Sequence, residues 1–249
     1  MDKKLYDLMN WERIESIVYS DNDEPGKFLG AHAVSGGILV QAFFPDAVKV
    51  LVVSNKRKKP YEMELVDEAG FFAVLIPGKK VPDYHYEVVY AKERVEICYD
   101  PYVFPQSLNA SDLKQYEAGV HYTVYEKLGA HVMVLNGVEG VSFAVWAPNA
   151  VRVSVVGDFN FWDGRRHPMN RLGNSGIFQL FIPGLKEGEI YKYEIKVKGD
   201  LTMLKSDPFA FETELRPNNA SVICNLDKLS WNEEKWQQQW ITKDLETRP

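Results

Sequence analysis

The 249-residue sequence is poor in cysteine and in long apolar runs. Its two cysteines, Cys98 and Cys224, cannot build a disulfide framework, and no short metal-ligand spacing surrounds them. We therefore expect two reduced thiols, no metal site and no cofactor. No apolar run approaches the roughly 20 residues that a membrane-spanning helix needs, and the first residues lack the apolar core of a signal peptide. The sequence predicts a cytoplasmic protein with no membrane partner.

Positive charge is also not in excess. The sequence has 29 lysines and arginines against 35 aspartates and glutamates, a formal net charge of −6. This balance argues against nucleic acid as a partner. The one basic run, residues 56–59, is flanked by acidic stretches and indicates a solvated hairpin tip rather than a phosphate-binding patch. The length fits two modest domains but leaves no room for a (β/α)₈ barrel of about 250 residues together with another domain.

What the sequence does contain is an internal repeat. Five short segments of the first half recur in the same order in the second half, at offsets of 99, 103, 106, 107 and 107 residues. The paired segments are 29–32 and 128–131, 45–50 and 148–153, 76–78 and 182–184, 84–88 and 191–195, and 100–104 and 207–211. Such a period is too long for a solenoid and too short for a barrel, so each copy is predicted to be one domain.

Each copy has the pattern of an antiparallel β-sandwich. Segments such as 141–146 and 151–155 alternate with period two and are rich in valine. Clusters of glycine, proline, asparagine and aspartate interrupt them about every 8–12 residues, the spacing of a sandwich. Helical patterns occur only near residues 3–17, 110–118 and 230–240. The sequence predicts an all-β fold of two tandem antiparallel sandwiches, with short flanking and linker helices.

These patterns divide the chain into five predicted parts. They are a helical lead (1–24), a first sandwich (25–106), a linker with a short helix (107–126), a second sandwich (127–228) and a tryptophan-bearing helix and tail (229–249). In the last part, Ser230 and Glu233 have the spacing of a capping box before Trp236 and Trp240. We expect these tryptophans, with Trp231, to be structural anchors.

One hairpin distinguishes the second copy from the first. Where the first copy has residues 54–57, the second has Gly-Asp-Phe-Asn-Phe-Trp-Asp-Gly over residues 157–164. Gly157 and Asn160 tolerate a positive φ, and the pair Asp163-Gly164 indicates a tight turn. We therefore expect a strained corner that holds Trp162 outward rather than in the core.

A flat indole suits the apolar C–H face of a pyranose ring. Burying roughly 40–60 Å² of that face contributes about 1–1.5 kcal/mol. Two such contacts with a few hydrogen bonds reach about −4 to −5 kcal/mol, which is millimolar to sub-millimolar binding. The residues themselves leave two interpretations open: Trp162 binds sugar, or it packs as the corner of its own sandwich.

The residues of this loop also carry a resemblance. The pattern Gly157-Asp158-Phe159-Asn160-x-Trp162-Asp163-Gly164, followed by segments 191–195 and 207–211, resembles the family 48 carbohydrate-binding module. In particular, it is similar to the version in bacterial 1,4-α-glucan (glycogen) branching enzymes. Segments 119–131, 162–169 and 214–217 are similar to theirs as well. The likeness covers essentially residues 25–240.

The resemblance implies two immunoglobulin-like modules placed before an amylase-type barrel in which catalysis lies. Such catalysis needs two carboxyl groups about 5–5.5 Å apart, presented from the strand ends of the barrel. The family's catalytic signatures, Asp-x-x-x-Asn-His, Gly-Phe-Arg-x-Asp and a His-Asp pair, do not occur in this sequence. We expect no catalytic residue here and no transfer or hydrolysis of glucosyl units by this chain alone.

The resemblance further implies a glucan site. Trp162 matches the family's first stacking tryptophan, and Lys192 matches a lysine that bonds sugar hydroxyls. Asn160 of the loop and Asn219 of a later segment complete the predicted carbohydrate-binding residues. The second tryptophan of the family's best binders is missing, because residues 198–204 contain no aromatic side chain. The expected partners are α-1,4-glucan (glycogen, amylose or malto-oligosaccharides) and the catalytic barrel.

The main hypothesis is thus a non-catalytic N-terminal part that binds or orients α-1,4-glucan and braces the barrel of a branching enzyme. Three alternatives stay open. The chain is a structural spacer without sugar binding, it belongs to a related debranching or trehalose-forming enzyme, or it is a stand-alone glycogen-targeting protein. Residues 165–167 are predicted either to form salt bridges with the barrel or to be a solvated loop.

Overall fold

The computed structural model of the protein describes residues 3–54, 59–228 and 233–241. Of the sequence features above, most of the basic run, the cap Ser230 and the anchor Trp231 lie outside these ranges. Among the described residues, no helix has the length and apolar character needed to cross a membrane. In the same ranges, no three histidine, cysteine, aspartate or glutamate side chains are grouped so that they could hold a metal ion.

The first half of the chain forms two antiparallel four-stranded sheets. Its strands are β1 (Gly30–Val34), β2 (Gly37–Phe43), β3 (Ala47–Ser54), β4 (Tyr61–Glu62), β5 (Glu64–Asp67), β6 (Phe71–Ile76), β7 (Tyr84–Tyr90) and β8 (Val95–Cys98). The strand orders are β1-β2-β6-β5 and β4-β3-β7-β8. Alternate residues of the two sheets meet in a buried core that includes Val40, Val52 and Val88.

The second half repeats this arrangement. Its strands are β9 (Gly129–Leu135), β10 (Val138–Trp146), β11 (Ala150–Gly157), β12 (Asn170–Arg171), β13 (Ile177–Pro183), β14 (Ile190–Val197), β15 (Leu201–Lys205), β16 (Glu212–Thr213) and β17 (Ser221–Val222). The sheets are β12-β13-β10-β9 and β11-β14-β17-β16, with β15 paired to β14. Phe143, Val155 and Phe178 lie in the core between them. The predicted all-β fold of two tandem, immunoglobulin-like antiparallel sandwiches is confirmed.

The helices are α1 (Lys3–Tyr6), α2 (Trp11–Val18), α3 (Ala110–Glu117) and α4 (Glu233–Ile241). The single lead helix expected over 3–17 is therefore two helices. The break comes at Asn10, whose side chain accepts a hydrogen bond from the backbone N–H of Arg13 at 3.2 Å and so begins α2 as an N-cap.

The repeat extends to these helices. Asn109 caps α3 as Asn10 caps α2, and the two asparagines are 99 residues apart, the same offset as the first repeated segment. Ile14 of α2 packs on the outer face of the sheet β1-β2-β6-β5. Leu113 of α3, also 99 residues further on, packs in the same way on the sheet β12-β13-β10-β9. This packing favours a repeat unit that starts at the helix, because the helix covers an apolar sheet face that would otherwise meet water.

A buried hydrogen-bond unit recurs in both sandwiches. In each, two tyrosines two residues apart on a central strand donate their hydroxyls to one carboxylate oxygen of a buried aspartate. The donors are Tyr84 and Tyr86 to Asp100, at 2.5 and 2.8 Å, and Tyr191 and Tyr193 to Asp207, at 2.6 and 3.1 Å. The other carboxylate oxygen accepts the backbone N–H two residues further on. The unit anchors the chain that leaves each sandwich.

The two sandwiches meet along residues 165–171 of the second, which we call the strap. Arg166 Nη1 donates to the hydroxyl of Tyr90 at 2.8 Å, and the hydroxyl of Tyr102 donates to the carbonyl of Pro168 at 3.0 Å. Asn170 Oδ1 accepts the backbone N–H of Gly26 at 2.7 Å. Arg166 thus contacts the first sandwich and is mostly buried, whereas Arg165 beside it is exposed to solvent.

Removing one of the two aspartates tests the buried unit. We expect Asp207→Ala to lower the free energy of unfolding by about 2–4 kcal/mol, because two buried hydroxyls and a backbone N–H lose their acceptor. Asp207→Asn keeps one acceptor oxygen and is expected to lose less. Urea denaturation measures the difference, with Asp7→Ala at an exposed position as the control. Equal stability of Asp207→Ala and the control would contradict the role given to the unit.

Candidate functional site

The loop over residues 157–164 leaves the end of β11 through one 3₁₀ turn, Asp158–Asn160. Gly157 and Asn160 tolerate a positive φ, but neither of them adopts one. Gly157 is extended, and the left-handed residues are Phe161 and Trp162, with φ of 59° and 60°. Gly157 is needed for another reason, because a Cβ there would lie 2.4 Å from the carbonyl oxygen of Ile190. Two consecutive left-handed non-glycine residues are unfavourable, so neighbouring contacts must hold the loop.

Asn160 supplies those contacts. Its side chain is 1% exposed, and its Oδ1 accepts the backbone N–H of Gly157 at 3.0 Å. Its Nδ2 donates to the carbonyl of Val155 at 2.8 Å and to Nδ1 of His167 at 2.9 Å. Both the oxygen and the nitrogen of the Asn160 amide are thus hydrogen-bonded to β11, the loop and the strap. This burial is at odds with the predicted sugar contact and gives Asn160 a positioning role.

Trp162 is half-buried on the loop and lies outside the core cluster of the second sandwich. Its indole N–H donates to Asp158 Oδ1 at 2.7 Å. An indole held by its N–H keeps one orientation, which reduces the side-chain entropy lost when a ligand stacks on it. The side chain thus lies partly against its own loop and is partly open to solvent.

Two more of the predicted residues contact each other. Lys192 Nζ donates to Asn219 Oδ1 at 2.6 Å on the surface of the second sandwich. Lys192 pairs in register with Val156, the residue directly before Gly157, where the loop begins. The sheet β11-β14-β17 therefore brings Trp162, Lys192 and Asn219 to the same end of the second sandwich, although they are far apart in sequence.

A buried ion pair that sequence reasoning missed supports the far end of the loop. Arg152 is 3% exposed, and its guanidinium donates to Glu194 Oε1 at 2.6 Å and to the carbonyl of Gly164 at 2.8 Å. Gly164 packs so closely on Glu194 that a Cβ would lie 1.9 Å from its Oε1. Both charged residues alternate with core residues on their strands, a pattern that normally indicates solvent exposure.

Sequence reasoning also missed Phe161. The side chain is 61% exposed, and the guanidinium carbon of Arg94, from the first sandwich, lies 5.2 Å from its ring centroid. No aromatic occupies residues 198–204, where β15 carries the exposed Leu201 and Leu204 instead. Phe161 is therefore an exposed aromatic residue directly before Trp162, and it contacts the first sandwich through Arg94.

His167 joins this loop to the strap. Burial, and secondarily the nearby Arg166 guanidinium, lowers the pKa of His167 to about 4, against the opposing effect of Asp163. Because Nδ1 accepts the hydrogen bond from Asn160, the neutral ring carries its proton on Nε2. Protonation of His167 Nδ1 would place its N–H against the N–H of Asn160 Nδ2, so that two donors would face each other.

Comparison with known proteins gives a match to each half of the chain. Residues 10–102 match the family model of the alpha-1,4-glucan branching enzyme GlgB, N-terminal domain, and residues 127–210 match carbohydrate-binding module 48 (isoamylase N-terminal domain). The 1,4-alpha-glucan branching enzyme GlgB of Thermosynechococcus vestitus is 42% identical over 230 residues, which are 90% of this chain and 30% of that protein. The enzyme of the same name from Trichormus variabilis is 40% identical over 243 residues, 96% of this chain and 32% of that protein. The chain thus spans about a third of the length of these relatives.

Among solved structures, pullulanase complexed with maltotriose from Anoxybacillus sp. LM18-11 aligns with 81% of this chain and 28% of its own. The identity is 18% and the TM-score is 0.36. A structural similarity at this TM-score supports no conclusion about this chain.

The lowered pKa of His167 predicts a pH dependence of stability. Between pH 6.5 and 4 the unfolded chain takes up a proton on this histidine and the folded protein does not, so the free energy of unfolding falls as the pH falls. We expect the wild type to lose about 2 kcal/mol more than His167→Gln between pH 7 and 4.5, at 1.4 kcal/mol per pKa unit. Urea denaturation at both pH values measures this. Identical losses in the two proteins would contradict it.

Proposed function

We propose that this chain, which corresponds over most of its length to the N-terminal region of 1,4-α-glucan branching enzymes, binds or orients α-1,4-glucan at the loop end of its second sandwich. The observation that carries the proposal is the Lys192–Asn219 pair, held beside a loop whose shape is maintained by the buried Asn160. The ligands are glycogen, amylose and malto-oligosaccharides, and we place this function in the cytoplasm.

The chemistry of these groups suits a sugar. The Trp162 ring offers an apolar face for a pyranose, and its N–H is already satisfied by Asp158. Lys192 donates and Asn219 both donates and accepts, so together they match hydroxyl groups, which also do both. Because the groups already contact one another, little ordering is needed on binding. Binding in the millimolar range is expected from so few contacts.

In this proposal, the branching reaction belongs to the remaining two thirds of the relatives' length. The two sandwiches, joined rigidly by the strap, brace that catalytic barrel and hold a glucan chain near it. A structural spacer without sugar binding is the second candidate, and the lack of an aromatic residue on β15 favours it. The two candidates differ in whether the loop end responds to glucan.

Substitution of the stacking residue tests binding. We expect Trp162→Ala to weaken retardation in amylose-containing gels about tenfold, the loss of one contact worth about 1.4 kcal/mol. Trp146→Ala is the matched control, since Trp146 is 51% exposed and lies on the sheet whose outer face α3 covers. Equal retardation of the wild type and both variants would contradict a role for Trp162.

The surface lysine gives an independent test. Lys192→Met keeps the length of the side chain and removes its charge and donors, so we expect maltoheptaose affinity to fall several-fold. The readout is the change in tryptophan fluorescence on titration. Lys198→Met, at an exposed position just beyond the opposite end of β14, is the control. No fluorescence change in the wild type at tens of millimolar maltoheptaose would favour the structural spacer.

A further inference from the structure

A cavity lies between the two sandwiches, and neither Lys192 nor Asn219 lines it. Its volume is about 80 Å³, and it is open to solvent on one side. The first sandwich contributes its floor and one wall, and Phe159 with residues 165–167 of the second sandwich form the other wall. We call this cavity the junction cleft.

Two buried polar atoms of the cleft have no hydrogen-bond partner. Gln41 is 2% exposed, and its Nε2 donates to the carbonyl of Phe28 at 2.8 Å, but its Oε1 has no donor. Arg166 uses Nη1 and Nη2 on the first sandwich, and its Nε makes no hydrogen bond, the carboxylate oxygen Asp163 Oδ2 lying 3.8 Å away. Most buried polar atoms have a hydrogen-bond partner, so an acceptor and a donor without one on two residues that line the same cavity favour an occupant there.

Each sandwich has one buried glutamine at this place in its sheet, but only that of the first sandwich has a carbonyl without a hydrogen-bond donor. Gln41 lies opposite Gly30 in the register of β1 and β2, as Ala144 lies opposite Gly129 in the register of β9 and β10. Across the neighbouring strand pair, Gln41 lies opposite Ala73 and Ala144 lies opposite Gln179, so the amide has changed strands between the two copies. Gln179 Oε1 accepts the backbone N–H of Leu108 at 3.4 Å, whereas Gln41 Oε1 has no donor. The unpartnered carbonyl is therefore particular to the first sandwich.

The charges of the cleft select a neutral ligand. Glu96 and Asp100 line it together with Arg165 and Arg166, so neither sign dominates. Asp100 has its oxygens occupied by tyrosine hydroxyls and a backbone N–H. Asp163 Oδ2 lies 2.8 Å from Arg165 Nη2 and 3.8 Å from Arg166 Nε, and this carboxylate beside both guanidinium groups disfavours phosphate or another anion.

The walls are aromatic, and an aromatic residue stands at the opening. Phe44, Tyr90 and Phe159 line the cleft, and Tyr99 at its rim is 46% exposed. Aromatic rings flanking a few polar groups that both donate and accept are suited to a polyhydroxylated ring. A volume of about 80 Å³ exceeds that of two water molecules at about 30 Å³ each, and it takes the hydroxyl-bearing edge of one sugar rather than a whole enclosed ring.

We propose that the junction cleft is a second α-1,4-glucan site, which takes the edge of one glucosyl unit of a malto-oligosaccharide. One sugar hydroxyl donates to Gln41 Oε1, and another accepts from Arg166 Nε. The first sandwich thereby contributes to glucan binding, and the ligand lies between the two sandwiches. This proposal rests on the proposed function as far as the class of ligand is concerned.

The reactivity of the two cysteines can be used to measure occupancy of the junction cleft, because only Cys98 lines it. Cys98 is half-buried and lines the cleft, whereas Cys224 is half-buried beside Leu226 and Phe211 on another surface of the second sandwich. Burial raises the pKa of Cys98 to about 12, so its modification by a small methanethiosulfonate at pH 8.5 is slow enough to follow by peptide mass spectrometry. Protection of Cys98 relative to Cys224 reports occupancy of the cleft.

The experiment uses the whole 249-residue chain with maltotriose as the probe. At a ligand concentration of about three times a millimolar Kd, we expect Cys98 modification to slow about fourfold while the rate at Cys224 stays unchanged. The same protection is expected in Trp162→Ala, which removes the stacking residue of the other site. We expect protection to be lost in Gln41→Met, provided that its circular dichroism matches the wild type.

Three results would overturn the proposal. The first is absence of protection in the wild type, which would mean that the cleft holds only water. The second is loss of protection in Trp162→Ala, which would mean that only the loop end binds sugar. The third is equal protection by inorganic phosphate, which would reject a neutral ligand. The proposed function is tested separately by gel retardation, so the cleft can fail while glucan binding at the loop end stands.

Discussion

The hydrogen bond from Asn160 to His167 connects the two halves of one continuous segment, the loop 157–164 and the strap 165–171. On one side of this bond, the amide of Asn160 holds the turn that places Phe161 and Trp162 in a left-handed conformation. On the other side, the strap reaches the first sandwich through Arg166 and Asn170. A change in the packing of the sandwiches therefore alters the position of the loop 157–164, because the loop continues directly into the strap that contacts the first sandwich.

The duplication explains which parts of the molecule are structural. Features present in both copies are the covering helix with its asparagine cap, the β-bulge near the start of β3 and β11, and the tyrosine–aspartate unit. They maintain a sandwich whatever its function. Features present in one copy are the loop with Trp162, the Lys192–Asn219 pair and the unpartnered carbonyl of Gln41. The proposed binding sites lie among the second group, as expected where two copies of one scaffold have acquired different surfaces.

Much of the fold followed from local patterns. Alternation with period two and regularly spaced turn residues were enough to predict the strands, and the repeat was enough to predict two sandwiches. The helices were harder, because the break between α1 and α2 depends on the cap at Asn10 and on burial of Ile14 against a sheet formed much later in the chain. Propensity is a weak signal for short helices, whose stability comes from the face that they bury.

For the site, the sequence by itself determined the residue types: a Phe-Asn-Phe-Trp loop, the lysine at position 192 and the late asparagine at position 219. Only the tertiary structure decided their roles. It buried Asn160, joined Lys192 to Asn219, turned Arg166 toward the first sandwich and left Gln41 Oε1 without a partner. The physical reason is range. Turn and strand patterns act over a few residues, whereas these contacts join residues up to 121 positions apart, and those of Arg166 exist only once both sandwiches have packed.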